Sequence, residues 1–237
     1  MIKDKKQPHN SSVHVIYSLW LALSTLLILS LTTSLALFLV ETLNSQSLND
    51  SPGQQSGLTL IAALIISILF SYGLLFFLTK EYLYKVVHQL FSTSINWFLV
   101  SLVIGIGVAV VTLQLSQIYP PEMGRSSTFD IIKNGGFYAQ ALLIIGTVIL
   151  APFFEEYLFR GLIYDSMHAR FGVYLAIFLS AVVFMAFHLI EYYNYWVGLA
   201  AIFVLGICLA AIRERSGSIL NPIICHASYN LSILMLV

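Results

Sequence analysis

Three groups of polar side chains interrupt long apolar stretches in the C-terminal half of this 237-residue chain. Their members are Glu155, Glu156 and Arg160; Phe184 and His188; and His226 and Asn230. Residues four apart lie on one face of an α-helix, so Glu156 and Arg160 can pair in the favourable acid-first order, and His226 and Asn230 face one direction. Glu155 points about 100° away from Glu156, which leaves one carboxylate without an intrahelical partner.

The residue types in these groups suit hydrolysis. An ionisable side chain at membrane depth is costly and is by default functional. In a low-dielectric pocket, the carboxylate of Glu155 beside the imidazoles of His188 and His226 can act as a general base for water. The same three side chains can instead hold a divalent metal such as zinc with one open position. Because the single-helix arrangement His-Glu-x-x-His is absent, the sequence leaves both alternatives open.

Each group by itself also has a structural interpretation. A buried Glu–Arg pair more often positions helices than takes part in bond chemistry, and a single intramembrane histidine often hydrogen-bonds a neighbouring helix. The three groups together, with Glu155 unpaired among them, favour a functional site.

We assign His168 and Glu191 to loops or interfaces. Four glycines are assigned to close packing between helices: Gly105, Gly107, Gly198 and Gly206.

The elements that must position these residues are membrane-spanning helices. The chain is 59% hydrophobic and 9% charged, which is outside the usual range for a soluble domain. A span takes roughly 20 apolar residues, and about seven segments qualify: 15–40, 58–79, 95–118, 137–163, 172–190, 195–212 and 218–237. The sequence predicts an all-α fold, a polytopic transmembrane helix bundle, with a polar catalytic cavity among its last four helices.

The distribution of positive charge predicts an orientation in the membrane. Net charge is zero, so the expected partner is the lipid bilayer and not a nucleic acid. With a cytoplasmic N-terminus, Arg125 and Lys133 lie outside and the remaining Lys and Arg lie on the cytoplasmic side. The latter are Lys3, Lys5, Lys6, Lys80, Lys85, Arg160, Arg170, Arg213 and Arg215. We predict a multi-pass protein of a bacterial cell membrane; no sequence feature specifies an oligomeric state.

Helix length and Pro152 place the acidic pair deep in the bundle. If the fourth helix continues to about residue 169, Glu155 lies roughly 21 Å above its end, and His188 lies roughly 24 Å above the start of the next helix near Gly172. Antiparallel packing would bring the two side chains level. Pro152 removes one backbone hydrogen bond and frees carbonyl groups, which must be satisfied by protein or water.

The motifs Glu-Glu-x-x-x-Arg, Phe-x-x-x-His and His-x-x-x-Asn, in this order on successive late helices, resemble the CAAX protease and bacteriocin-processing family. This is the Abi group of intramembrane endopeptidases, which includes the eukaryotic prenyl-protein endopeptidase that trims CAAX termini. The wider contexts at 151–161 and 218–230 are also similar. The resemblance covers residues 137–237, which are therefore expected to form the catalytic core, after N-terminal transmembrane helices and loops in residues 1–136.

The resemblance implies a role for each motif residue. Glu155 would be the catalytic carboxylate that activates water, and His188 would help to hold and deprotonate that water. His226 and Asn230 would hold the water or metal, or stabilise the oxyanion of the tetrahedral intermediate. The family is named for metalloproteases, and a metal-independent glutamate mechanism has also been argued for it, so a metal on Glu155, His188 and His226 remains one of two alternatives.

The resemblance also implies that Glu156 and Arg160 orient the motif helix. We predict an enzyme, a CAAX-type intramembrane endopeptidase that hydrolyses membrane-associated peptides, either prenylated or of the leader type. One alternative is a non-catalytic membrane immunity or scaffold protein that retains the family fold. A second is a small transporter or proton relay, for which intramembrane Glu and His are also expected, although inverted repeats are not evident.

Overall fold

The computed structural model describes residues 15–44, 52–84, 93–120 and 136–236, and these residues form helices without any β-strand. This confirms the predicted all-α helix bundle. The helices are α1 (Val15–Asn44), α2 (Pro52–Leu78), α3 (Ile95–Ile118), α4 (Phe137–Phe171), α5 (Val173–Phe187), α6 (Leu189–Tyr192), α7 (Trp196–Ser216) and α8 (Leu220–Leu236).

The seven predicted apolar helices are all present, but they differ in length. Among the described residues, five helices are long and apolar enough to cross a membrane: α1, α2, α3, α4 and α7. The other two, α5 with 15 residues and α8 with 17 residues, are shorter than the roughly 20 residues of a full span. Among the described residues the bundle therefore has five helices of full spanning length and two shorter ones. One of them, α5, ends one residue before His188, and the other, α8, carries His226.

Local chemistry explains why the two short helices begin and end where they do. Gly172, with φ of 77°, separates α4 from α5, and Gly217, with φ of 66°, ends α7. Glycine adopts these left-handed angles without the steric cost that a Cβ would impose. The hydroxyl of Ser218 then accepts a hydrogen bond from the Leu220 N–H at the start of α8, as a helix-capping side chain does.

Helix α4 is the central helix of the bundle, and its register is irregular. Two π-helical segments, Ile145–Leu150 and Tyr157–Ile163, flank the α-helical segment Ala151–Glu156. Every residue of the second π segment is buried. π-helical insertions inside α-helices occur frequently at functional sites. The segment that contains Glu155 and Glu156 therefore lies between two changes of helical register.

Two residues that follow α2, Thr79 and Tyr82, form hydrogen bonds with this irregular helix. The hydroxyl groups of Thr79 and Tyr157 lie 2.6 Å apart. Tyr82 donates to the carboxylate of Asp165, its oxygen 2.6 Å from Oδ2, and its hydroxyl also contacts the carbonyl of Gly161. Burial, and then the charge of Asp165, raise the pKa of Tyr82 well above its usual value, so its hydroxyl remains a donor at neutral pH. These contacts hold both ends of the second π segment.

Helices α3 and α8 cross at Gly105. A Cβ on Gly105 would overlap Ser228 Oγ and the Cys225 carbonyl, both on α8. Close packing is also confirmed for Gly198, against the Tyr192 ring, and for Gly206, where a Cβ would lie 3.1 Å from Ala181. The prediction of close packing is wrong for Gly107, where a Cβ would meet no described atom within 4 Å.

The two glycines of α3 provide a matched pair of substitutions. We expect Gly105→Ala to lower the free energy of unfolding by about 1–3 kcal/mol, because overpacking forces the backbone of α8 away from α3. Gly107→Ala should leave stability unchanged or raise it slightly, because alanine favours the helix. Thermal denaturation of the two variants in the same detergent checks this, and equal melting temperatures would contradict the proposed crossing.

Candidate active site

Glu155 is the centre of the site, and one of its carboxylate oxygens has no hydrogen-bond partner among the described residues. Oε2 of Glu155 is buried, although the side chain as a whole is 21% exposed. This oxygen lies 3.9 Å from Nε2 of His188 and 3.9 Å from Nε2 of His226. The prediction that antiparallel packing brings Glu155 and His188 level is confirmed. Each 3.9 Å separation is too long for a direct hydrogen bond, so the three groups converge on a gap and not on one another.

His188 lies at a break in the helix, and not inside the continuous segment 172–190 that the sequence predicted. Helix α5 ends at Phe187, and the backbone N–H of His188 donates to the Met185 carbonyl at 3.0 Å. In a continuing α-helix this N–H would donate to Phe184. Instead, the ring Nδ1 of His188 lies 2.9 Å from the Phe184 carbonyl. The break thus fixes the orientation of the imidazole.

Glu156 binds two partners through one oxygen. Its Oε1 accepts from Arg160 Nη1 at 3.0 Å and lies 2.9 Å from Nδ1 of His226. The predicted pairing of Glu156 with Arg160 is confirmed, and both side chains are fully buried. A chain of contacts therefore runs from the arginine through the carboxylate to the second histidine, and it fixes the His226 ring.

Arg160 is held by two further contacts. Its Nη2 donates to the Gly206 carbonyl on α7 at 3.2 Å, and its guanidinium lies 4.4 Å from the ring centroid of Phe184. A cation over an aromatic face is attracted by the ring quadrupole. The Phe184 ring also meets the His226 ring edge to face at 5.7 Å. Phe184 therefore packs against both the cation and an imidazole of the site.

The hydrogen-bond partners assign the protons of the two imidazoles. Nδ1 of His188 faces a carbonyl and Nδ1 of His226 faces a carboxylate, and both of these groups only accept. We therefore place a proton on each Nδ1. In a neutral ring the Nε2 atom then carries a lone pair, and both Nε2 atoms face Oε2 of Glu155. A cation in the gap could bind all three atoms, whereas a bridging water, with two protons, could donate to two of them.

The ligand types match those of a metal site, but the distances between the ligand atoms are longer than those around a bound zinc ion. A His₂Glu set is a known zinc site, and metal-binding histidines typically donate their second nitrogen to a carboxylate or carbonyl, as here. Two ligands of one tetrahedral zinc ion lie about 3.3 Å apart, shorter than the observed 3.9 Å. Among the described residues no group of three His, Cys, Asp or Glu is already arranged to hold a metal ion.

Asn230 makes a contact that the sequence analysis did not assign to it. Its Nδ2 donates to the backbone carbonyl of Thr147 on α4 at 2.7 Å. The predicted contacts of Asn230 with water, metal or oxyanion remain predictions. The partners Thr147 and Gly206 act through their backbone carbonyls, so no side-chain pattern could identify them. The signal that could have found Thr147 is Pro152, which was predicted to free a carbonyl nearby.

The residues set aside in the sequence analysis lie at the surface of the bundle. His168 is exposed near the end of α4 and stacks on the Tyr164 ring at 5.8 Å. Glu191 is exposed on the short helix α6. Both positions agree with their assignment to interfaces.

The fold and the site together define a polytopic helical membrane protein with a partly buried carboxylate between two histidines. Residues 137–232 match the family model described as type II CAAX prenyl endopeptidase Rce1-like. This match confirms the resemblance to the CAAX protease family over the part of the chain that contains every predicted site residue.

One curated relative is an uncharacterized 24.3 kDa protein of Escherichia coli, 28% identical over 148 residues. The aligned region covers 60% of this chain and 63% of that protein, so the chain spans less than two thirds of this relative. No solved structure matches.

Proposed function

We propose that the protein is an intramembrane endopeptidase of the CAAX type. The observation that carries this proposal is the gap in which Glu155 Oε2 faces Nε2 of His188 and Nε2 of His226. This oxygen is buried and has no hydrogen-bond partner in the part of the chain that the structure describes. A buried carboxylate oxygen without a hydrogen bond costs free energy and persists where it has a function. The match of residues 137–232 to a prenyl endopeptidase family supports the same conclusion.

The proposed reaction places a water molecule in this gap. Glu155 removes a proton from the water, whose oxygen attacks the carbonyl carbon of the scissile peptide bond. The carbonyl oxygen becomes an oxyanion. If one of the two imidazoles has taken a second proton from solvent before the reaction, its Nε2–H can stabilise the oxyanion by about 3 kcal/mol, as single donors typically do. When the C–N bond breaks, Glu155 returns its proton to the leaving amine. The carboxylate is thereby regenerated and the product acid is released.

A divalent metal such as zinc, if present, would be held by Glu155, His188 and His226. It would supply Lewis-acid polarisation of the substrate carbonyl. The remaining contacts of the site are the same in either case. Glu156 and Arg160 fix the ring of His226 through hydrogen bonds at 2.9 and 3.0 Å.

We propose membrane-associated peptides, prenylated or of the leader type, as the substrates. The family description supports a lipidated CAAX terminus. The proposed orientation places the N-terminus in the cytoplasm of a bacterial cell, since Arg170 at the end of α4 and Arg213 and Arg215 at the end of α7 would then lie on the cytoplasmic side. An accessibility assay on single cysteines at these helix ends tests the orientation.

The test of activity is cleavage of a fluorogenic peptide panel by detergent-purified protein. Matched prenylated and unmodified peptides are each incubated with and without a chelator. We expect cleavage of at least one peptide class. Loss of cleavage with chelator, restored by added zinc, would select the metal-dependent mechanism, and unchanged cleavage would select Glu155 as a metal-independent base. Failure to cleave the whole panel, in detergent and in liposomes, would count against the proposed substrates.

A further inference from the structure

Pro152 interrupts the hydrogen-bond ladder of α4 immediately before the acidic pair. At the end of the first π segment, the Ala151 N–H donates to the Gly146 carbonyl, five residues earlier. The next bond in this register would join the N–H of residue 152 to the Thr147 carbonyl. Proline has no N–H, so the Thr147 carbonyl is left without this donor in a partly buried part of the bundle.

Asn230 supplies a donor at this point. Its Nδ2 lies 2.7 Å from the Thr147 carbonyl. Because a carbonyl only accepts, this contact also fixes which end of the amide faces α4. We infer that Asn230 is a positioning residue that replaces the missing N–H of Pro152 and thereby sets the register of α8 against α4.

This register determines the geometry of the proposed site. Thr147 and Glu155 belong to α4, whereas Asn230 lies one turn after His226 on α8. A shift of α8 along α4 would therefore change the distance of 3.9 Å between Glu155 Oε2 and His226 Nε2. For Asn230 the family resemblance suggests instead a direct contact with water, metal or oxyanion. The inferred effect of Asn230 on catalysis rests on the proposed function, whereas its effect on stability does not.

A double-mutant cycle tests the inference without any substrate. The four proteins are wild type, Pro152→Ala, Asn230→Ala and the double variant, compared by melting temperature in one detergent. In the wild-type background, Asn230→Ala leaves the partly buried Thr147 carbonyl without this donor and should lower the melting temperature by about 4 °C. In the Pro152→Ala background, the restored N–H can satisfy that carbonyl, so the loss should fall below half of this value. Equal losses in both backgrounds would overturn the inference.

The kinetic arm separates positioning from contact with the substrate. If Asn230 acts through the Thr147 carbonyl, its replacement by alanine should lower kcat about 10-fold in the wild-type background and clearly less in the Pro152→Ala background. If Asn230 contacted the oxyanion directly, its replacement would lower kcat equally in the wild-type and Pro152→Ala backgrounds, and that result would overturn the positioning role. Asn230→Asp keeps the shape of the side chain but removes the donor, so it should behave like Asn230→Ala.

The two arms also separate this inference from the proposed function. Thermal coupling between Pro152 and Asn230, in a protein that cleaves no peptide, would support the positioning role while the endopeptidase proposal fails. Cleavage without thermal coupling would support the endopeptidase and overturn the positioning role.

Discussion

Replacing Glu155 with Gln is expected to lower the cleavage rate by about 10³-fold or more, while the protein remains folded. Glutamine keeps the size of the side chain but cannot take a proton from water or return it to the leaving amine. The effect should appear in kcat, because the carboxylate contributes through the proton that it transfers in the transition state and not through binding the intact peptide.

The same substitution should not destabilise the protein. Oε2 of Glu155 is buried, and no described residue hydrogen-bonds to it; its contacts with the two imidazoles are 3.9 Å long. Neutralising a charge that is poorly compensated removes a desolvation cost. The melting temperature of Glu155→Gln should therefore equal or exceed that of the wild type. Such a combination of lost activity and retained stability is typical of a functional residue.

Glu191→Gln is the matched control for this experiment. It makes the same chemical change on the exposed helix α6, and we expect it to retain the wild-type rate. If Glu155→Gln cleaves peptide as fast as Glu191→Gln, the proposed role of Glu155 is wrong. A protein that neither cleaves peptide nor responds to Glu155→Gln would instead fit the alternative of a non-catalytic immunity or scaffold protein.

The sequence was sufficient to predict those parts of the site that depend on helical periodicity. The pairing of Glu156 with Arg160 follows from their spacing of four residues. The meeting of Glu155 with His188 follows from the rise per residue along two antiparallel helices. These contacts are set by one helix or by one pair of neighbouring helices, so they could be calculated without the tertiary structure.

The parts that could not be predicted depend on local changes of helical register. The π-helical segments of α4 shift the residues that follow, and the break at His188 turns its ring toward the Phe184 carbonyl. Neither has a sequence signal as simple as a motif spacing. The contact between His226 and Glu156 depends on how α8 packs against α4, and the partner of Asn230 is a backbone carbonyl. Such contacts required the three-dimensional structure.

Replacing Arg160 with Met is expected to cause the largest loss of stability, about 3–5 kcal/mol in the free energy of unfolding. The Arg160 and Glu156 side chains are both fully buried. Without the guanidinium, the Glu156 carboxylate keeps its desolvation cost and retains only the contact with His226. Methionine preserves much of the side-chain volume, so the loss reports charge and hydrogen bonding more than a cavity.

A second variant distinguishes an uncompensated charge from lost packing. In the double variant Glu156→Gln, Arg160→Met no buried carboxylate remains at residue 156, so it should be more stable than Arg160→Met alone. Arg170→Met, at an exposed position of the same helix, should change the free energy of unfolding by less than about 0.5 kcal/mol. Chemical denaturation in mixed micelles measures all three. If the double variant is less stable than Arg160→Met, the guanidinium stabilises the bundle mainly through the Gly206 carbonyl and the Phe184 ring, and not by compensating Glu156.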